Sequence, residues 1–246
     1  MINMKKIWVI TLFPDYFKPL LEFGITSQIF NGDRSQKVEF QTVYLGDHSP
    51  KSFKGCDSGP YGGGPGMVLR ADVLESALVN GVVRVGGYND LKSELHVIYT
   101  SPRGELFTNV ISRELSDSSK DFVFICGRYE GVDERFLNQY VDQIISIGDF
   151  VLTGGELAVM SIIDSALRFK LGALGNDQSA GLDSFEDGLI EHPQYTRPRD
   201  FNGEGVPEIL LSGDHKKIAE YNHNQKIEMT KKYRPDLYKL YKEKKR

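Results

Sequence analysis

The sequence has few of the residues that metal centres and disulfide scaffolds require. Its 246 residues include two cysteines and five histidines, and neither type occurs at metal-ligand spacing. Cys56 and Cys126 lie far apart, which is typical of a protein from a reducing cytosol. No H-E-x-x-H pattern is present, which argues against a zinc enzyme. We therefore expect a cytoplasmic protein, and the sequence identifies no metal ligands.

Long apolar runs are also absent. No segment approaches the roughly 18 apolar residues that cross a bilayer, so we expect no membrane partner. The N-terminus, MINMKKIWVITLF, resembles a signal peptide because two lysines precede an apolar run. Pro14 and Asp15 follow at once, however, without a small-residue cleavage site. This pattern favours a buried first β-strand.

The glycines do not form any of the common nucleotide-binding or nucleophile motifs. The stretch YGGGPGM, residues 61–67, has four glycines but lacks the Gly-Lys-Ser/Thr ending of a Walker loop. No G-x-G-x-x-G follows a strand, which argues against a dinucleotide fold and the common Rossmann-like methyltransferases. A G-x-S-x-G nucleophile elbow is missing as well. Glycine still allows the backbone to approach something closely at YGGGPGM.

Charge is distributed unevenly along the chain. The formal net charge is −4, but residues 226–246 hold nine Lys and Arg against three Asp and Glu. The other 225 residues hold 21 against 31. A basic tail on an acidic body can contact phosphates through counterion release. A solvated helix end explains the same charges equally well.

Apolar segments alternate with helix-like segments along the first two thirds of the chain. The predicted strands are residues 5–13, 95–101, 121–126 and 142–147. The predicted helices are residues 15–30, 71–80, 105–116 and 132–140. This order predicts an α/β fold with a parallel sheet covered on both faces. Ligands of such sheets bind in loops beyond the carboxyl ends of the strands, here SPRGE, CGRYEG and IGDFVLTGGE.

The remaining segments suggest a domain organisation. Residues 156–170 predict an apolar helix, buried either against a second copy of the chain or in the core of one domain. Residues 172–190 lack apolar periodicity and read as a mobile linker. Residues 191–246 read as a small, mostly helical domain whose long helix starts near Ser212 or Asp214. We therefore predict a catalytic domain over residues 1–171, followed by this linker and this C-terminal domain.

The loop IGDFVLTGGE alternates apolar side chains with bare backbone. Main-chain N–H and C=O groups exposed in this way can bind the edge of a flat heterocycle. The side chains of Ile147, Phe150 and Leu152 could cover its faces. This combination suits an adenine ring better than a pyrophosphate. Any one of the three loops alone would more often be an ordinary tight turn.

At these residues the chain resembles the bacterial tRNA (guanine-N1)-methyltransferase family, TrmD, of the trefoil-knotted SPOUT superfamily. The resemblance covers nearly the whole length and rests on nine segments in one order. They are ITLFP, PYGGGPGM, VIYTSPRG, CGRYEGVDER, SIGDFVLTGGEL, IDSALRF, DSF, YTRP and LLSGDH. It implies a parallel α/β sheet with a deep trefoil knot at CGRYEG and SIGDFVLTGGE, plus the small helical C-terminal domain.

The resemblance also implies the ligands. The donor would be S-adenosylmethionine, and the substrate a tRNA carrying guanine 37, bound by a homodimer. The basic C-terminal domain would hold the tRNA phosphates, and YGGGPGM would form a wall near the methionine end of the donor. The matching donor-binding positions are Tyr99, Thr100, Ser101, Pro102, Gly127, Tyr129, Glu130, Ser146, Ile147, Gly148, Asp149, Phe150, Val151, Leu152, Gly154 and Gly155.

By the same resemblance, Asp183 would be the general base and Arg168 the guanine contact. Considered alone, Asp183 reads as a helix-capping aspartate and Arg168 as a solvated cation at a helix C-terminus. A base on the predicted linker implies that residues 172–190 become ordered when tRNA binds. Some family members need magnesium, but no ligand set in this sequence indicates a magnesium site.

The chain departs from the family pattern at four places. Ser58 stands where the family usually has a second aspartate, Phe150 replaces a tyrosine and Ala158 replaces a proline. Residues 219–223 read AEYNH where the family is often rich in arginine. Two other hypotheses stay open: a knotted methyltransferase acting on another RNA position, and a non-catalytic RNA-binding protein of the same fold.

Overall fold

The computed structural model describes residues 5–50, 55–174 and 183–244. The chain divides into two compact units, Met1–Asp177 and Gln178–Arg246. The linker predicted over residues 172–190 spans this division, and its residues 175–182 lie outside the described residues. The mobility and the exact bounds of that linker stay predictions.

A five-stranded parallel sheet lies at the centre of the first unit, which confirms the predicted fold class. Its strand order is β2-β1-β6-β5-β7, and every neighbouring pair is parallel. Strands β3 and β4 form a separate antiparallel pair. The strands are β1 (Lys6–Thr11), β2 (Glu39–Tyr44), β3 (Asp57–Ser58), β4 (Val68–Leu69), β5 (Leu95–Leu106), β6 (Asp121–Ile125) and β7 (Gln143–Ser146).

Helices connect these strands. One helical stretch after β4 runs through α3, a π-helical segment at Ala77–Val83 and α4. Short 3-10 turns occur at Pro14–Phe17 and Leu45–His48. The α-helices are α1 (Lys18–Glu22), α2 (Gly24–Asn31), α3 (Ala71–Ser76), α4 (Arg84–Gly86), α5 (Leu91–Glu94), α6 (Asn109–Asp117), α7 (Glu134–Tyr140) and α8 (Glu156–Arg168).

The sheet is buried on both faces. Alternate residues of a strand point to opposite faces, so Ile7 and Val9 join one core cluster while Trp8 and Ile10 join the other. Helix α8 adds Val159 to the first cluster, and α3 adds residues to the second. Burial on both faces explains why the central strands read as continuous apolar runs rather than as alternating ones.

Helix α8 is buried against its own unit. Its inward side carries Ala158, Val159, Ile162, Ile163, Ala166 and Leu167, all buried. Of the two explanations left open by the sequence, the core of a single domain therefore accounts for the apolar character of this helix. Leu157, 49% exposed, is on the opposite side.

Several elements differ from the sequence predictions, and three of them have a clear physical reason. Strand β2 was missed because it is an edge strand and only Val43 of its six residues is buried. The predicted helix over 15–30 is interrupted at Phe23, whose backbone is extended (φ −129°, ψ 151°). The predicted helix over 105–116 begins instead at Asn109, because β5 continues through an irregularity after Thr100 as far as Leu106.

The second unit is mostly helical, as predicted. It contains a hairpin of β8 (Asp200–Phe201) and β9 (Glu204–Gly205), a 3-10 turn at Glu208–Leu211, and helices α9 (His215–Tyr233) and α10 (Pro235–Lys244). Asp214 caps α9, because its carboxylate accepts a hydrogen bond from the Lys217 N–H at 3.2 Å. This confirms the predicted helix start. No helix in the described part of the chain is long and apolar enough to cross a membrane.

Candidate active site

A cavity of about 260 Å³ lies where β5, at its irregularity after Thr100, meets the loops after β6 and β7. Because the strands are parallel, their carboxyl ends place these loops at one edge of the sheet. The segment SPRGE, predicted as a loop, is part of β5. The lining residues are Tyr99, Thr100, Ser101, Pro102, Gly127, Arg128, Tyr129, Glu130, Gly131, Ile145, Ser146, Ile147, Gly148, Phe150, Val151, Leu152, Thr153, Gly154, Gly155 and Ala158.

Fifteen of the sixteen predicted donor-binding residues line this one cavity. The exception is Asp149, which is not among the lining residues although both its neighbours, Gly148 and Phe150, are. Sequence reasoning did not select Arg128, Gly131, Ile145, Thr153 or Ala158, which also line it. Each of these five is within three residues of a selected position. Only the local geometry of the chain shows that they line the cavity as well.

Strand β5 and the loops after β6 and β7 meet at Gly155. Its N–H donates a hydrogen bond to the Gly127 carbonyl at 2.9 Å. A Cβ on Gly155 would lie 2.7 Å from Thr100 Oγ1, 2.9 Å from the Gly127 nitrogen and 3.0 Å from the Cys126 Cα. Such distances are too short for a carbon atom, so only glycine allows this contact between main chains.

Thr100 presents an unsatisfied polar atom in this cavity. Its side-chain oxygen is buried and has no hydrogen-bond partner among the described residues. A buried hydroxyl without a partner costs free energy, and a bound ligand with a polar edge would satisfy it. Apolar surface is available beside it, because the Phe150 and Tyr129 side chains are more than half exposed. The residues present therefore suit a ligand with a flat, polar-edged ring.

An ion pair at the cavity connects the loop after β6 with the start of helix α8. Glu156 is 1% exposed, and its Oε2 lies 2.9 Å from Arg128 Nη2 as an ion-pair contact. Its Oε1 accepts a hydrogen bond from Thr11 Oγ1 at 2.8 Å. Arg128 also donates to the Thr153 carbonyl at 3.1 Å and stacks 4.3 Å from the centre of the Phe13 ring. A buried carboxylate requires such partners.

Sequence reasoning missed this ion pair, although one signal was present. Glu156 begins a helix whose following turns are apolar, and a charged residue on such a helix often has a buried partner. The partner could not have been identified from the sequence, because Arg128 lies 28 residues earlier.

The glycine-rich stretch YGGGPGM contacts the cavity from outside. The Glu130 N–H donates to the Met67 carbonyl at 2.9 Å, and the Leu69 N–H donates to the Gly131 carbonyl at 2.9 Å. A Cβ on Gly66 (φ +87°) would collide with the Glu130 carboxylate. None of residues 61–67 lines the cavity, and this stretch contacts the loop that carries Glu130. The wall near the methionine end of the donor stays a prediction.

Burial changes the proton affinity of three groups at the site. It raises the pKa of the Tyr99 hydroxyl and of the Tyr129 hydroxyl, and nearby Asp57 raises the latter further. The pKa of the Cys126 thiol is raised well above its usual value, first by burial and then by the negative charge of Glu156. All three groups are therefore neutral at physiological pH.

The two predicted catalytic residues belong to different units. Arg168 is the last residue of α8 in the first unit and is exposed. Asp183 belongs to the second unit and is half-buried. Within residues 5–50, 55–174 and 183–244, no group of three or more His, Cys, Asp or Glu side chains could hold a metal ion.

Comparison with known proteins identifies similar sequences over nearly the whole chain. A family model described as tRNA (Guanine-1)-methyltransferase TrmD matches residues 4–240. A protein of Lachnospira eligens named tRNA (guanine-N(1)-)-methyltransferase is 43% identical over 233 residues, which are 95% of this chain and 94% of its own. Similar proteins with the same name occur in Lactobacillus delbrueckii subsp. bulgaricus (44% over 229 residues, 93% and 87%) and Hydrogenovibrio crunogenus (42% over 233 residues, 95% and 94%).

Proposed function

The chain belongs to the tRNA (guanine-1)-methyltransferase family TrmD and is a tRNA guanine-N1 methyltransferase, and from this premise we propose its donor, target base and catalytic residues. The donor is S-adenosylmethionine, bound in the cavity between β5 and the loops after β6 and β7. The target is N1 of guanine 37. Asp183 is the general base, and Arg168 contacts the guanine.

The cavity carries the proposal for the donor. Its lining comes from β5 and from the loops after β6 and β7, which meet at Gly155. Among the lining residues, the buried Thr100 side-chain oxygen has no hydrogen-bond partner in the described part of the chain. Exposed peptide groups can bind the polar edge of adenine, and the side chains of Phe150 and Leu152 lie where they can cover the ring. When bound, S-adenosylmethionine supplies an electrophilic methyl group that needs no metal activation. The knot that the family implies would hold these loops in place.

The chemistry of guanine requires a base. Guanine N1 carries a proton near neutral pH, so its electron pair is not free to attack a methyl group. The carboxylate of Asp183 would accept that proton, and the freed electron pair of N1 would take the methyl group as the carbon–sulfur bond of the donor breaks and its sulfur leaves as a neutral thioether. A positioned general base contributes about 10²–10⁴-fold to a rate. The guanidinium of Arg168 donates hydrogen bonds to O6, where negative charge develops.

The tRNA partner has electrostatic support. Residues 226–246 are the basic part of an otherwise acidic chain. If they contact phosphates, the affinity for tRNA falls as the salt concentration rises. We expect the guanine to leave the anticodon-loop stack before it reacts. A homodimer remains part of the proposal, supported by Leu157 and Leu171, which are 49% and 77% exposed on the first unit. Magnesium has no assigned site.

Mass spectrometry of modified nucleosides tests the proposed function. The purified protein is incubated with S-adenosylmethionine and one tRNA transcript that carries guanine 37. We expect 1-methylguanosine from this transcript and none from its guanine-to-adenine variant at position 37. A ribose-methylated product, or a methylated base elsewhere, would show a different RNA target. RNA binding without any methylated product or donor binding would identify a non-catalytic protein.

A further inference from the structure

The residues around Asp183 form a closed turn within the second unit. Phe185 adopts a positive φ of 79°, and its N–H donates to the Leu189 carbonyl at 2.7 Å. The Glu191 N–H donates to Ser184 Oγ at 3.0 Å, which closes the turn beside Asp183. We call residues 183–191 the Asp183 loop. Its internal hydrogen bonds fix the backbone on both sides of the turn.

The Asp183 loop is attached to helix α9. The Ile190 N–H donates a hydrogen bond to Thr230 Oγ1 at 2.9 Å, and Asp187 Oδ2 pairs with Lys226 Nζ at 2.7 Å. Leu189 is fully buried beside them. These contacts join residues some 40 positions apart in the chain. The loop that carries the proposed base is therefore bonded to the basic helix α9, although most of it falls within the segment predicted as a linker.

Thr230 is unusual on its helix. It is the one fully buried residue of α9, and its hydroxyl also donates to the Lys226 carbonyl at 2.7 Å. Threonine inside a helix is less favourable than alanine or leucine, and bonding back to the preceding turn does not stabilise the helix. Valine would fill the same space. What the hydroxyl adds is that it accepts a hydrogen bond from the Ile190 N–H. This bond contributes nothing to the helix itself.

We propose that Thr230 is a positioning residue that fixes Asp183 for proton transfer. This inference rests on the proposed function, because it assumes that Asp183 is the base. Lys231 and Lys232 follow Thr230 directly in the basic part of the chain. The helix that contacts RNA phosphates and the carboxylate that accepts the guanine proton then move as one element, so that docking of the helix also delivers the base.

The first test replaces the hydroxyl with a methyl group. In Thr230→Val, with tRNA and S-adenosylmethionine both saturating, we expect the single-turnover rate to fall roughly 10- to 100-fold, because small misplacements of a catalytic group are costly. The dissociation constants of tRNA and donor should change by less than about twofold, which is within ordinary scatter for a residue without ligand contacts. Thr230→Ser, which keeps the hydroxyl, should restore most of the rate. A wild-type rate for Thr230→Val would overturn the inference.

A double-mutant cycle separates this role from a general structural one. If Thr230 acts through Asp183, Thr230→Val should cause no further loss in an Asp183→Asn background. An equal loss in both backgrounds would show that the hydroxyl acts independently of Asp183 and would overturn the inference. If Asp183→Asn alone keeps the wild-type rate, it is the proposed base that is wrong, and the inference fails with it.

A surface variant covers the case in which Thr230→Val does not fold. Asp187→Asn weakens the second attachment by removing its negative charge while Lys226 keeps its positive charge, and we expect a slower single turnover with unchanged donor binding. Glu208→Gln is its matched control, because it also removes one negative charge from an ion pair of the second unit, with Arg199 at 2.9 Å. Equal rates in these two variants would contradict the inference.

Discussion

Glu156 and Arg128, which lines the cavity, form an ion pair with 2.9 Å between Oε2 and Nη2. Arg128 belongs to the loop after β6, and Glu156 begins the helix that follows the loop after β7. The pair therefore fixes two loops of the proposed donor site relative to each other. Its carboxylate is buried, so neither partner can be lost without leaving a charge in an unfavourable environment.

We predict that Glu156→Gln lowers the free energy of unfolding by about 1–3 kcal/mol, because the guanidinium of Arg128 loses its counter-charge. Glu208→Gln is the control, since its pair with Arg199 is exposed on both sides and should contribute less than about 1 kcal/mol. Urea unfolding of both variants measures the difference. Equal destabilisation would show that the buried pair has no special structural role.

Gly155→Ala should abolish tight donor binding while leaving the backbone conformation allowed, because φ at this residue is −76°. The added Cβ would meet Thr100 Oγ1 and the Gly127 nitrogen at less than 3.0 Å and push the loops apart. We expect the dissociation constant of S-adenosylmethionine to rise at least about tenfold, equivalent to about 1.4 kcal/mol. Gly59→Ala, with nothing within 4 Å of the new atom, should bind normally. Calorimetry distinguishes the two, and normal binding by Gly155→Ala would contradict the proposed site.

The Cys126 thiol should resist alkylation in the native protein. Burial and the charge of Glu156 hold its pKa well above 9.0, and only the thiolate reacts with iodoacetamide. We expect no labelling of Cys126 near pH 8 until the protein is unfolded, as read from peptide masses. Rapid labelling in the native state would show that Cys126, directly after β6, is open to solvent.

The same shift predicts how stability depends on pH. Because the folded pKa is raised, the unfolded chain loses this proton first, above about pH 9, while the folded protein keeps it. The stabilising contribution is therefore complete below pH 9 and is lost as the pH rises through the folded value. Cys126→Ala should flatten the alkaline part of the stability curve. An unchanged alkaline slope in that variant would count against the shift.

Much of the first unit could be predicted because its strands are buried on both faces and therefore read as apolar runs. The loops after β6 and β7 could be located for the same reason, since they follow those runs, whereas the predicted loop SPRGE is part of β5. Strand β2 was missed because an edge strand buries few side chains. The break at Phe23 was missed because the apolar spacing continues across it.

The contacts that complete the site leave no local signal in the sequence. Arg128 and Glu156 are 28 residues apart, and Ile190 and Thr230 are 40 residues apart. A hydrogen bond from a main-chain N–H to a threonine hydroxyl changes neither composition nor periodicity. The sequence placed Asp183 on a predicted linker but gave no sign that Asp187 and Ile190 of the same segment bond to helix α9.

The role of Asp183 is the central claim, and one rate measures it most directly. With tRNA and S-adenosylmethionine saturating, Asp183→Asn should lower the single-turnover rate of methyl transfer by about 10²–10⁴-fold, because the amide cannot accept the guanine proton. Both ligands should bind as tightly as to the wild-type protein. A variant that transfers methyl groups at the wild-type rate would contradict the account.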